Sequence, residues 1–119
     1  MTDDSPVPRQ LNYHQRSRML EITFEGDERF ELSAEFLRVH SPSAEVRGHG
    51  PGQEVLQVGK AEVRIDQIEP VGNYAVCLHF DDGHNTGIYS WEELHHLGVN
   101  RDALWLRYVE QLEAAAQKR

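Results

Sequence analysis

From residue 19 onward the chain alternates apolar and polar positions. Leu20, Ile22 and Phe24 are interleaved with Glu21 and Thr23, and after Glu25, Gly26, Asp27 and Glu28 the alternation resumes with Phe30 and Leu32 around Glu31. A period of two on both sides of a short glycine-containing turn predicts a β-hairpin. Ser33 has the side chain of a helix N-cap, and Phe36, Leu37 and Val39 follow before Pro42, so a short helix of about two turns is expected there. Residues 41–59 then hold Gly48, Gly50, Gly52, Gly59, Pro42 and Pro51, a density of breakers that predicts a long, shaped surface loop in place of regular structure.

Alternation returns through Val63 and Ile65, breaks at Asp66 and Gln67, and resumes at Ile68; Pro70, Val71, Gly72 and Asn73 read as a turn. Tyr74, Val76, Leu78 and Phe80 then share one face of a strand and Ala75, Cys77 and His79 the other. Asp81, Asp82 and Gly83 reverse the chain into a further strand over 85–89. Ser90 with Glu93 has the form of a capping box opening a helix, which Gly98 is placed to end as its C′ residue. Asn100 can cap a last helix, in which Leu104, Tyr108 and Leu112 recur at helical spacing beside Trp105 and Val109. Lys118 and Arg119 complete a tail with few anchors. The expected architecture is α+β: one small, mostly antiparallel sheet of about five strands with two or three helices. Residues 1–10, with Pro6 and Pro8, are expected to be a flexible arm, 11–98 the domain, and 99–119 a C-terminal amphipathic helix.

At 119 residues the chain suits a single domain, which can bury an ordinary core without staples. Twelve Lys and Arg against 20 Asp and Glu give a net charge of −8. The charge is uneven: residues 1–18 and 101–119 carry 3 − 2 = +1 and 4 − 3 = +1, leaving 5 − 15 = −10 for 19–100. An acidic domain lacks the basic footprint that nucleic acid or an anionic membrane requires, and favours a basic patch on a protein partner. Cys77 is the single cysteine, so no internal disulfide can form, and with no apolar run after the polar residues 1–10 secretion is not expected. With no apolar run of about 20 residues, a membrane span is not expected and the cytoplasm is the expected compartment.

No catalytic set stands out in the residue spacing. His79, Phe80 and Asp81 have the H-x-D form of non-haem iron sites, but too little chain follows to build the barrel such sites need. Cys77 and His79 share one face of a strand, yet a mid-strand cysteine is ordinarily a small core residue. Gly48, His49, Gly50, Pro51 and Gly52 could cradle an anion, but the Lys and Ser/Thr of a phosphate loop are missing.

Three separated stretches carry a resemblance: residues 37–50 (LRVHSPSAEVRGHG), 68–76 (IEPVGNYAV) and 80–91 (FDDGHNTGIYSW). Across positions 11–97 the chain closely resembles the gamma-butyrobetaine hydroxylase-like N-terminal domain, in its stand-alone bacterial form. In the oxygenases of that family the domain precedes a separate catalytic barrel, absent here, and binds structural zinc through three cysteines and a histidine. By this resemblance the zinc positions correspond to Ser41, Ser43, Val46 and His84. Only the histidine survives, and hydroxyls and a valine cannot replace thiolates, so no metal and no cofactor are expected. The same domain also occurs attached to iron–sulfur cluster carriers, which implies an accessory role in cluster delivery or related metabolism through an unidentified protein partner; one cysteine cannot build a cluster site itself.

The expected function is therefore a noncatalytic interaction module, not an enzyme. Its working surface would join loop 41–52 to segment 83–91, with Arg38, His49 and His84 as polar contacts and Tyr89 and Trp91 as aromatic anchors. Two alternatives stand beside it. One is a binding domain for an acidic or zwitterionic metabolite, and the other a weak metal site of His40, His49 and His84.

Overall fold

The computed structural model describes residues 6–48, 50 and 52–119. It contains six strands and four helices among those residues, one strand and at least one helix more than the pattern predicts. The strands are β1 (Pro8–His14), β2 (Met19–Phe24), β3 (Arg29–Ser33), β4 (Ile65–Val71), β5 (Ala75–Phe80) and β6 (Ile88–Ser90). The helices are α1 (Ala34–Val39), α2 (Ala44–Arg47), α3 (Trp91–Val99) and α4 (Arg101–Ala114). Instead of one sheet there are two antiparallel three-stranded sheets, β1-β2-β3 and β4-β5-β6.

The hairpin of β2 and β3 pairs Leu20 with Leu32 and Ile22 with Phe30 as the alternation requires. The additional strand is β1, which begins at Pro8, inside the stretch expected to be a loose arm, and runs against β2 from Pro8↔Phe24 to His14↔Met19. Its weak alternation, Leu11 and Tyr13 among polar residues, is that of an edge strand held by pairing with its partner and by the partial burial of those two side chains against the core. The break expected at Asp66 and Gln67 is an irregularity in the β4–β5 register between Ile65 and Gln67.

The core is shared by both sheets. Leu20, Ile22, Phe24 and Leu32 meet Ile65, Val76, Leu78, Phe80 and Tyr89, with Phe36 and Leu37 of α1 and Leu94 and Leu97 of α3 completing one cluster. Such burial, about 25 cal/mol per Å² of apolar surface, is the main force holding the sheets together. Tyr74, expected on the core face of β5, lies instead in the β4–β5 turn and is 69% exposed.

The helices differ from expectation at their ends. Ser33 caps α1 as predicted, accepting from the Phe36 amide at 3.0 Å. Ser90 caps α3 through the Glu93 amide at 3.0 Å, but the Glu93 carboxylate pairs with Arg47, which outcompetes the return bond of a capping box. Gly98 does not end α3; it lies inside the helix, where a Cβ would stand 2.5 Å from Phe30 Cγ, so the glycine is there for close packing on β3. Asn100 makes no side-chain cap of α4, its amide donating back to the His96 carbonyl at 2.9 Å. Helix α4 seats Tyr108 and Leu112 against Val39. The tail is better anchored than its composition suggests, because Arg119 Nη2 reaches the buried Glu35 carboxylate at 2.9 Å and its guanidinium stands over the Trp105 ring.

Candidate functional site

Loop 41–52 and the segment after β5 do meet, through hydrogen bonds from Ser41 and Ser43. Pro42 ends α1, and Ser43 immediately starts the one-turn helix α2, accepting from the Glu45 amide at 3.2 Å, so part of the stretch whose breakers predict an irregular loop is helical. The two serines thus face the β5–β6 connection from a rigid corner. Ser41 Oγ lies 2.8 Å from His84 Nε2 and accepts from the Ser43 amide at 3.2 Å, while Ser43 Oγ bonds Thr86 Oγ1 at 2.8 Å. On the other side of the imidazole, Glu45 Oε2 lies 3.2 Å from Nδ1.

Serine, histidine and carboxylate therefore stand in the order used for acyl transfer. Access decides against that chemistry in this conformation. Ser41 is fully buried, and a Cβ at Gly87 would lie 2.3 Å from its hydroxyl, so on that side there is no room for an acyl group. Burial, then the nearby Arg38 charge, lowers the His84 pKa, with Glu45 opposing; the ring is held toward the neutral form that can join a hydroxyl to a carboxylate. The trio acts as a latch fastening loop to hairpin; two of its members, Ser41 and His84, together with Ser43, stand at positions where the resemblance places zinc ligands. Val46, the remaining one of those positions, is buried and packs as an apolar residue.

The other expected contact residues also turn inward. Arg38 is buried; its Nε donates to Asp82 Oδ2 at 2.8 Å and its Nη1 to Gln57 Oε1 at 3.0 Å. Burial alone would raise the Asp82 pKa, but hydrogen bonds from Lys60, the His84 amide and Arg38 outweigh it and hold the carboxyl at about 2. Tyr89 is fully buried, and its hydroxyl donates to the Leu37 carbonyl. It is a core residue and not a surface anchor: burial pushes its pKa well above the usual phenol value. Trp91 is half-buried, its indole donating to the Asn73 carbonyl at 2.8 Å. His49 lies outside the described residues. His40 bonds the Phe36 carbonyl through Nδ1 at 3.0 Å, and burial lowers its pKa. Glu45, Asp82, Thr86 and Gly87 complete the site and carry no recognisable spacing in the sequence; only their contacts reveal them.

Beside this latch, a cavity of about 450 Å³ opens between residues 52–57, α3 and α4. Arg47, Glu54, Glu93 and Arg107 supply its charges and Val55, Leu56 and Leu104 its apolar lining. Arg38, His84 and Tyr89 do not line it.

Residues 11–95 match the family described as gamma-butyrobetaine hydroxylase-like, N-terminal. The chain belongs to this family. Two proteins with NMR solution structures are similar over nearly the whole chain. One is 50% identical, aligning over 100% of this chain and 90% of its own with a TM-score of 0.84. The other is 43% identical over 97% of this chain and 90% of its own, also at 0.84. A crystal structure of a protein of unknown function from Acidithiobacillus ferrooxidans, of the DUF971 family, is 36% identical over 82% of this chain and 98% of its own, with a TM-score of 0.68. No curated protein matches the sequence. Among the described residues, no helix of this family member is long and apolar enough to cross a membrane.

Proposed function

We propose that the chain is a noncatalytic accessory module that docks on a protein partner in the cytoplasm, in the setting of iron–sulfur cluster delivery or related metabolism. One observation carries the proposal: the polar groups of the site satisfy one another inside the chain, so their work is to fasten residues 41–45 against the β5–β6 connection. Next to this fastened segment, Glu45, Glu54, Val55 and Val58 face outward, the two valines being 53% and 42% exposed, and Glu54 and Val55 also line the cavity bounded by α3 and α4. The acidic charge of residues 19–100 suits a partner segment with basic and apolar side chains.

Because Arg38 and His84 are buried, their removal would disturb folding, and surface variants make the cleaner test. A Glu54→Lys/Val55→Ser double variant should lose a partner that the wild type captures from native cytoplasm, and capture should weaken with salt. An Arg9→Gln variant, on exposed β1, should keep it. Equal enrichment by wild type and the double variant would refute this docking surface.

A second reading, binding of a small acidic or zwitterionic metabolite, is favoured by the cavity itself. Its volume lies within the range of small-molecule sites, and Arg107 could meet a carboxylate and Glu54 a cation beside the Arg47–Glu93 ion pair. Chemical-shift changes confined to those residues on adding a metabolite pool, with capture of protein unaffected by the double variant, would favour it over docking.

A further inference from the structure

We propose that Glu69, Cys77 and His79 form a binding site for a zinc-class divalent metal ion on the outer face of the second sheet. The site is independent of the docking surface and shares no ligand with positions 41, 43, 46 and 84.

Strand geometry brings the three together. Cys77 and His79 are two residues apart on β5 and so rise on one face, opposite the core residues Val76, Leu78 and Phe80. Glu69 on β4 is the register partner of Cys77 and joins the same face. Their ligand atoms all lie within 4.8 Å of one another, and His79 Nε2 is already 2.9 Å from Glu69 Oε1. A tetrahedral zinc with bonds of about 2.0–2.3 Å holds its ligands roughly 3.5 Å apart, so side-chain adjustment can close the site without moving the backbone. β5 is the central strand of its sheet, flanked by β4 and β6, which gives two of the ligands a rigid base.

The donor set is one thiolate, one imidazole and one carboxylate. That combination suits zinc or cobalt better than magnesium or calcium, which take oxygen ligands throughout. Three protein ligands leave a fourth position for water. Without metal, the Cys77 thiol donates to the Asn85 carbonyl at 3.1 Å. Metal binding releases that proton to solvent, and the resulting thiolate turns toward Glu69 and His79. Glu69 is 54% exposed and His79 27% in their side chains, leaving an ion a path from solvent.

Cobalt(II) is the direct probe, added to untagged, chelator-stripped full-length protein. One equivalent per chain should produce a thiolate-to-cobalt charge-transfer band, which zinc then abolishes by displacement. Cys77→Ser should remove the band. His79→Ala and Glu69→Gln, both at partly exposed positions, should each weaken cobalt affinity by about tenfold or more, whereas His96→Ala, on exposed α3, should not. Circular dichroism confirms that each variant is folded. Absence of the band in the wild type, or unchanged affinity in both His79→Ala and Glu69→Gln, would overturn the assignment, the latter showing only a reactive thiol.

Discussion

Replacing Tyr89 by phenylalanine removes one buried hydroxyl, bonded to the Leu37 carbonyl and within reach of the Ser41 side chain, from the middle of the molecule. The ring is fully buried and can stay in place, so apolar burial hardly changes; only the hydroxyl that donates to the Leu37 carbonyl is lost. That carbonyl lies in the last turn of α1, where carbonyls lack intrahelical partners, and Leu37 is itself fully buried. Leaving a buried acceptor unpaired costs about 1–3 kcal/mol. For a domain of this size each kcal/mol lowers the thermal midpoint by about 4 °C, so Tyr89→Phe should melt roughly 4–12 °C below wild type. Urea unfolding followed by fluorescence of Trp91 and Trp105 gives the free energy directly. An unchanged denaturant slope would place the effect in the folded state. Tyr74→Phe, at an exposed turn, should stay within about 0.5 kcal/mol of wild type. A Tyr89→Phe loss below about 0.5 kcal/mol would show that the Leu37 carbonyl finds another donor, and would refute the role assigned to Tyr89.

Gly98→Ala ordinarily stabilises a helix interior by up to about 1 kcal/mol. Here the added Cβ meets the Phe30 ring, and the variant should lose about 1–3 kcal/mol in the same assay; a gain would mean that Phe30 moves aside freely. Asp82, held at about 2 against an ordinary 3.8, contributes stability that is fully present above pH 3.8 and is lost as pH falls from about 4 to 2. Screening at its partly exposed position reduces this to about 1 kcal/mol. Acid titration of unfolding free energy should show that loss in wild type and a smaller one in Asp82→Asn; equal pH profiles would remove Asp82 from the network that holds Arg38.

Much of the fold can be read along the chain, because hairpins and caps are local. The Leu20–Leu32 hairpin, the Ser33 and Ser90 caps, the break near Asp66 and the inward face of Val76, Leu78 and Phe80 each follow from residues a few positions apart. Strand β1 does not, since Leu11 and Tyr13 supply too little alternation to reveal an edge strand whose order comes from β2. The separation into two sheets is equally hidden, being set by where the core closes. Gly98 shows how one residue can support two readings: its sequence position suits a helix end, and only the approach of Phe30 identifies a packing contact.

The sequence by itself determined the family, the α+β class and the acidic character of the central segment. It also brought loop 41–52 and the segment around His84 under suspicion. The tertiary structure decided what those residues do, because hydrogen bonding and burial depend on neighbours more than 40 positions away. It turned Arg38, His84 and Tyr89 inward as partners of Asp82, Ser41 and Leu37, and left the valines of the following loop outside. It also set Glu69 beside Cys77 and His79, a pairing that no spacing along the chain expresses because strand register alone creates it.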